Sequence, residues 1–335
     1  MSGGVETRAV AEDESEERVD RWFKRNFPGL SHGRLEKLLR TGQIRVDGKR
    51  AKASQRLEVG QAIRIPPLDA ETVRAPEAKK PKPSGLQMEA DDPVVRQLLE
   101  SILHMDDEMI VINKPAGLAV QGGSGTKVHV DAALDHLKFD KIDRPRLVHR
   151  LDKDTSGALV LARSQAAARR LTQAFRHKAT LKIYWALVVG EPKMSSGEID
   201  APLQKRPGRL GEKMEIDDEG KRAVTRYRII ERLGGKVTWV AMYPVTGRTH
   251  QLRVHMSEID CPILGDGKYG GQEAFLHGEG VSRKLHLHAR ALRLPGINGK
   301  TIEVIAPLTD HIKRSWSFFD LSESSGKDPF GDFED

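Results

Sequence analysis

The chain has 335 residues, 38% of them hydrophobic, with one cysteine and a formal net charge of +7. That length holds one large domain plus a small one, and the lone Cys261 excludes a disulfide framework and a cysteine-based zinc site. No apolar run approaches the roughly 20 residues that cross a bilayer, and the acidic start is neither a signal nor a transit peptide, so no membrane is expected and the cytoplasm is the default compartment.

The charge is uneven. Residues 1–17 carry one Arg against six acids and residues 320–335 carry one Lys against six acids, each net −5, which leaves +17 on residues 18–319. So basic a body favours a polyanion, with nucleic acid first among them. Both acidic ends read as disordered tails.

Within residues 18–68, Val19, Trp22, Phe23 and Phe27 fall at helical spacing and Pro28-Gly29 stops that helix. Ser31 then caps a second helix, with Leu35, Leu38 and Leu39 on one face and Arg34, Lys37 and Arg40 on the other. Gly42 ends it, Gln43 to Val46 alternates as a strand that carries Arg45, Asp47-Gly48 is a hairpin turn, and Ala62 to Ile65 closes as a strand. This pattern, with Arg18-x-Asp20 and Gly60, resembles an S4 RNA-binding domain. The resemblance implies that Arg34, Lys37, Arg40 and Arg45 meet RNA phosphates, which gives affinity with little base reading. Residues 69–95, with Lys79-Lys-Pro-Lys-Pro at their centre, hold neither a helix nor a ladder and read as a flexible linker.

The large domain, 96–319, opens with a strand over Glu108–Asn113, followed by Lys114-Pro115. Gly122 to Lys127 fails the phosphate-loop spacing and reads as a mobile loop. The central stretch is Arg146-Leu-Val-His-Arg-Leu-Asp-Lys-Asp-Thr-Ser-Gly157, ahead of the apolar strand Ala158–Ala162. On charge alone it reads equally well as a solvated surface loop. Asp152 and Asp154 also fit a glycosidase pair by type, but at i, i+2 in a loop their separation is undefined. Ser164 begins a helix through about His177, and Lys182–Val189 is a long strand containing Tyr184. Gln204–Arg222 reads as a polar, Gly-rich loop, equally well a flexible RNA-contacting one or an ordinary long surface loop. Strands follow at 223–230 and 237–243, and then Thr246-Gly-Arg-Thr-His-Gln-Leu-Arg253 turns into a helix near Thr249. Gly265 to Gly270 spells G-x-G-x-x-G without the flanking strand and helix of a dinucleotide site. His250, His255, His286 and His288 lack metal-site spacing, so no metal is expected. A strand at 301–306 and a helix at 310–319 finish an α+β fold with a mixed, mostly antiparallel sheet.

His149-Arg-Leu-Asp152 with Asp154-Thr-Ser-Gly157, and the second motif ending in Arg253, resemble the RluA family of pseudouridine synthases over about Ile110 to Pro307. The resemblance implies isomerisation of uridine in RNA without any cofactor. It makes Asp152 the catalytic residue, pairs it with Arg253, and gives Tyr184 the active-site tyrosine position. It also implies that Arg150 enters the RNA and that Leu252 packs against the base. His149, Thr155 and Lys114 are expected at the substrate. The two-domain plan resembles the branch acting on 23S or precursor large-subunit ribosomal RNA, with other large-subunit sites or tRNA as alternatives, and a monomer is expected. The rival from another class is a non-catalytic RNA-binding or ribosome-assembly protein.

Overall fold

A computed structural model describes residues 4–68, 88–123, 126–177, 179–207, 213–276, 280–296, 299–326 and 330–333. The chain divides into two compact units, Met1–Ser84 and Gly85–Asp335.

The first unit contains helices α1 (Val19–Asn26) and α2 (His32–Arg40) and strands β1 (Glu6–Ala9), β2 (Arg45–Val46), β3 (Lys49–Arg50) and β4 (Ala62–Ile65), in the sheet order β1-β4-β2-β3. Ser31 caps α2 by accepting from the Arg34 backbone N–H, as its position requires. Asp47 and Gly48 both take positive φ, at 49° and 76°, which is the geometry of a two-residue hairpin turn. Trp22, Phe23, Leu35, Leu39, Ile44 and Ile63 form one core.

The expected N-terminal tail is a correction. Residues 6–9 are a strand paired antiparallel to β4, Val10 enters the core, and the buried Glu14 takes an ion pair from Arg25 at 2.8 Å. Glu14 and Glu17, two of the acids that suggested disorder, share a basic partner on α1, Arg25, and composition does not register such pairing. The described residues of the C-terminal tail are corrected likewise. Phe330 is buried with Trp316, Leu308 and Ile312, and Glu323 pairs with Arg290 at 2.9 Å. The linker expectation falls mainly on residues 69–87, outside the described residues; its end is helical, because α3 (Pro93–Glu100) starts there with Asp92 as its cap and Pro93 at its first position.

The second unit is built on a ten-stranded sheet. Its strands are β5 (Ile102–Met105), β6 (Met109–Lys114), β7 (Arg146–Leu147), β8 (Ser156–Ala162), β9 (Leu181–Val189), β10 (Ser196–Asp200), β13 (Val224–Leu233), β14 (Val237–Pro244), β15 (Leu287–Pro295) and β16 (Thr301–Ile305). The path runs β10-β13-β14-β9-β15-β8-β6-β5, with β16 on β15 and β7 on β8. β8 and β15 run parallel, with His288 opposite Ser156, and the other described pairs are antiparallel. β8 begins at Ser156 rather than Ala158, since Ser156 and Gly157 already pair across this seam. Gly157 has φ 110°, and a Cβ there would meet the Ala289 carbonyl oxygen at 2.3 Å, so only glycine fits.

Both faces of the sheet are covered, which is why its central strands read as unbroken apolar runs. On β6, Ile110 and Ile112 point to one side and Met109 and Val111 to the other. Helices α4 (Val130–Ala133), α5 (Gln165–Arg176), α6 (Gln251–Glu258) and α7 (Asp310–Phe318) complete the unit. The segment expected to be a polar loop holds a hairpin, β11 (Leu203–Arg206) with β12 (Lys213–Ile216). Its Leu203 and Met214 pack on Val254 of α6, an anchor too small for a composition reading to register.

Candidate active site

On one face of the large sheet lie two separate apolar clusters. One is built around α3, α4 and Leu151, the other around Leu252, Met256 and Met242. Tyr184 on β9 packs against both. The gap between the clusters is a cleft of about 980 Å³ whose lining includes Arg150, Asp152, Thr155, Lys182, Tyr184, Leu252 and Arg253. Asp152 stands on the loop between β7 and β8.

The Asp152 loop is held from beneath. Lys114 is fully buried, and its Nζ donates to the carbonyls of Pro115, Leu118 and Lys153 at 2.9, 2.8 and 3.1 Å. Burial pulls its pKa down to about 7, against the opposing pull of Asp154 and Asp152. Expected at the substrate, Lys114 instead spends its donors on the loop carbonyls that position Asp152. His149 also differs from expectation. Its Nε2 accepts from the Val160 N–H at 2.8 Å, and its ring stacks on Phe175 at 4.3 Å. Burial pushes its pKa down to about 3, so it is a neutral acceptor in the wall. Thr155 is buried at 2% exposure, with a hydroxyl that finds no partner among the described residues. Arg150 is exposed at the cleft. Burial, and then the negative charge of Asp152, hold the Tyr184 phenol well above its ordinary range, so it remains protonated.

The expected direct pairing of Arg253 with Asp152 is not made. Arg253 forks onto Asp266, with Nε to Oδ2 and Nη2 to Oδ1 both at 2.7 Å. Burial disfavours its charge, but Asp266 and then Asp152 outweigh it and raise its pKa. Arg253 thus adds a fixed positive field beside Asp152 while its donors are committed elsewhere. A basic group does stand beside the Asp152 carboxylate: His250 Nε2 lies 3.9 Å from Oδ2. His250 sits in the left-handed region at φ 53° and heads α6. Burial lowers its pKa despite the pull of Asp152. Its Nδ1 meets the Tyr269 hydroxyl at 2.6 Å, and that hydroxyl accepts from the Met214 N–H at 3.2 Å. The start of α6 is pinned by the buried Gln251, which donates to the Val224 carbonyl and to the Thr225 hydroxyl.

Asp266, Tyr269 and Gln251 were missed in the sequence. The signal for the first two was Gly265-Asp-Gly-Lys-Tyr-Gly270, whose glycines mark a tight turn able to place an acid and a phenol under a neighbouring helix. His286 and His288 are buried and bonded to hydroxyls and carbonyls, and no group of three His, Cys, Asp or Glu is placed for a metal among the described residues.

A family model for RNA pseudouridylate synthase matches residues 108–258, a range that contains Asp152, Tyr184 and Arg253. Ribosomal large subunit pseudouridine synthase C of Escherichia coli O157:H7 is 38% identical over 317 residues, covering 92% of this chain and 95% of that protein. The chain belongs to the RNA pseudouridylate synthases. It is an isomerase acting on RNA. The synthase is also 39% identical over 350 residues to RNA pseudouridine synthase 4, mitochondrial, of Arabidopsis thaliana, covering 85% of this chain and 72% of that one. Among solved structures, human RNA pseudouridylate synthase domain containing 4 shares 31% identity at a TM-score of 0.57, covering 68% of this chain and 96% of that chain.

Proposed function

We propose that this synthase isomerises uridines of large-subunit (23S) ribosomal RNA, with Asp152 as the catalytic carboxylate. The observation that carries this reading is the position of Asp152 in the wall of a 980 Å³ cleft that also presents Tyr184, Leu252 and Arg253. That size suits a nucleotide drawn out of its stack. The reaction breaks the N1–C1′ bond, turns the uracil, joins C5 to C1′ and moves the C5 proton off while N1 gains one. Asp152 acts on the sugar by one of two routes, attack at C1′ or removal of the 2′ proton. Tyr184, protonated and aromatic, supplies a face for the uracil and a proton relay near C5. Leu252 packs on the other side, and Arg150 reaches towards the strand from the rim.

The first unit supports the reading as an S4-like RNA-binding module. Arg34, Lys37 and Arg40 are exposed on α2, opposite the buried Leu35 and Leu39. Arg45 has a different part there, since its guanidinium donates to the Gly42 and Gly48 carbonyls and braces the hairpin. The large-subunit target follows the names of the bacterial relatives, and the protein is read as a cytoplasmic monomer, a setting in which the buried Cys261 stays a thiol.

The test is tritium release from ribosomal RNA carrying C5-labelled uridine. The wild-type protein releases tritium, and Asp152→Asn abolishes release while RNA binding survives. Release by Asp152→Asn at the wild-type rate removes Asp152 from the chemistry, and no release by the wild-type protein favours a non-catalytic RNA-binding role.

A further inference from the structure

Positions 180, 182 and 184 share one face of β9 and its approach, because side chains alternate along a strand. All three line the cleft, while Ile183 and Trp185 point the other way, into the core with Trp239 and Trp316. Tyr184 already has a place in the proposed chemistry. Thr180 and Lys182 do not, although they lie only about 7 Å further along per two residues. Thr180 is 2% exposed, and its hydroxyl finds no hydrogen-bond partner among the described residues. The Lys182 ammonium has no carboxylate partner among them, and burial lowers its pKa. The neighbouring His149 is a neutral acceptor, so it does not balance that charge.

A half-buried cation without an acid disfavours the folded chain unless an anion meets it, a buried hydroxyl does so unless a hydrogen-bond partner meets it, and a phosphate oxygen can serve as both. Resting on the reading of the cleft as an RNA site, we propose that Thr180 and Lys182 form an anion site for a backbone phosphate next to the target uridine. The lysine supplies a point charge and the threonine a directed donor. Such contacts fix where a strand lies and carry no sequence information.

The test measures binding of the full-length protein to a large-subunit ribosomal RNA transcript across a KCl series. Lys182→Met keeps the apolar stem and removes the charge. It is expected to weaken binding roughly tenfold and to reduce the slope of log affinity on log salt by about 0.7 to 0.9, one phosphate's worth. Lys182→Arg is expected to restore the slope. Thr180→Val is expected to weaken binding less and to leave the slope unchanged, since a neutral hydroxyl releases no counterion. If Lys182→Met retains the wild-type slope, with or without a loss of affinity, the side chain is packing only and the anion site is overturned. Should methionine there unfold the protein, the slope of Lys182→Gln decides. Tritium release by the wild-type protein is scored separately. A changed slope without release overturns the catalytic reading and keeps the site, and release with an unchanged slope does the reverse.

Discussion

Asp266 is 1% exposed and Arg253 7%, so the two meet as a nearly dry, two-pronged pair, each a poor residue to leave alone. The fork orients the guanidinium, and the Tyr269 ring below it, 5.1 Å from Cζ, keeps it from turning. Asp266 also accepts from the Lys268 and Tyr269 N–H groups, so the turn and the helix are stitched through one carboxylate. Asp266→Asn leaves a buried cation with half its partner. It is expected to cost about 3 kcal/mol of stability and to lower the rate of tritium release. Urea denaturation checks the first outcome; a change below about 0.5 kcal/mol, the scale of an ordinary surface substitution, would show that the pair is not the brace its geometry suggests.

At the scale of elements, the seam between β8 and β15 is tied by polar side chains. The Ser156 hydroxyl meets His288 Nδ1 at 2.8 Å, and His288 Nε2 donates to the Ala306 carbonyl at 3.1 Å. At the start of β15, His286 Nε2 meets the Ser315 hydroxyl at 2.7 Å, with the His311 ring edge-on nearby at 5.7 Å. It is burial that keeps these rings neutral, holding His286 down to about 4 and His288 to about 3. The unfolded chain takes up these protons from about pH 6.5 downward, whereas the folded chain resists until the lower values. Stability from these groups is therefore fully present above pH 6.5 and is lost as pH falls towards 4 and then 3. Melting temperature followed from pH 7 to 4 should fall steadily, and His288→Gln should flatten that fall. An equally steep fall in the variant would assign the acid sensitivity to other groups.

At the scale of the whole molecule, the positive charge resides in the body, and among the described acids near the two ends Glu14 and Glu323 fold back onto it. Arg25 on α1 holds Glu14 and Arg290 on β15 holds Glu323, so both acidic segments belong to their units. On the proposed S4-like reading, the exposed basic face of α2 is where the first unit would meet RNA. Replacing Arg34, Lys37 and Arg40 together with alanine should weaken RNA binding and reduce the salt slope by about two, if two or three phosphates are met. A slope equal to that of the wild-type protein would remove α2 from the RNA interface.

The sequence by itself determined the elements and the reaction. Period-2 and period-3.6 apolar patterns placed α1, α2, β8, β9 and α5 to within a residue or two, and two local motifs named the family. Tertiary structure alone decided who touches whom. Arg253 pairs with Asp266 across 13 positions rather than with Asp152 across 101, and Lys114 is consumed by three loop carbonyls. A motif states which residue types gather at a site. Which donor closes on which acceptor depends on backbone path and burial, and the ends showed the same limit: a few buried contacts order a segment whose composition reads as disordered, because each contact is long-range and leaves no local period in the chain.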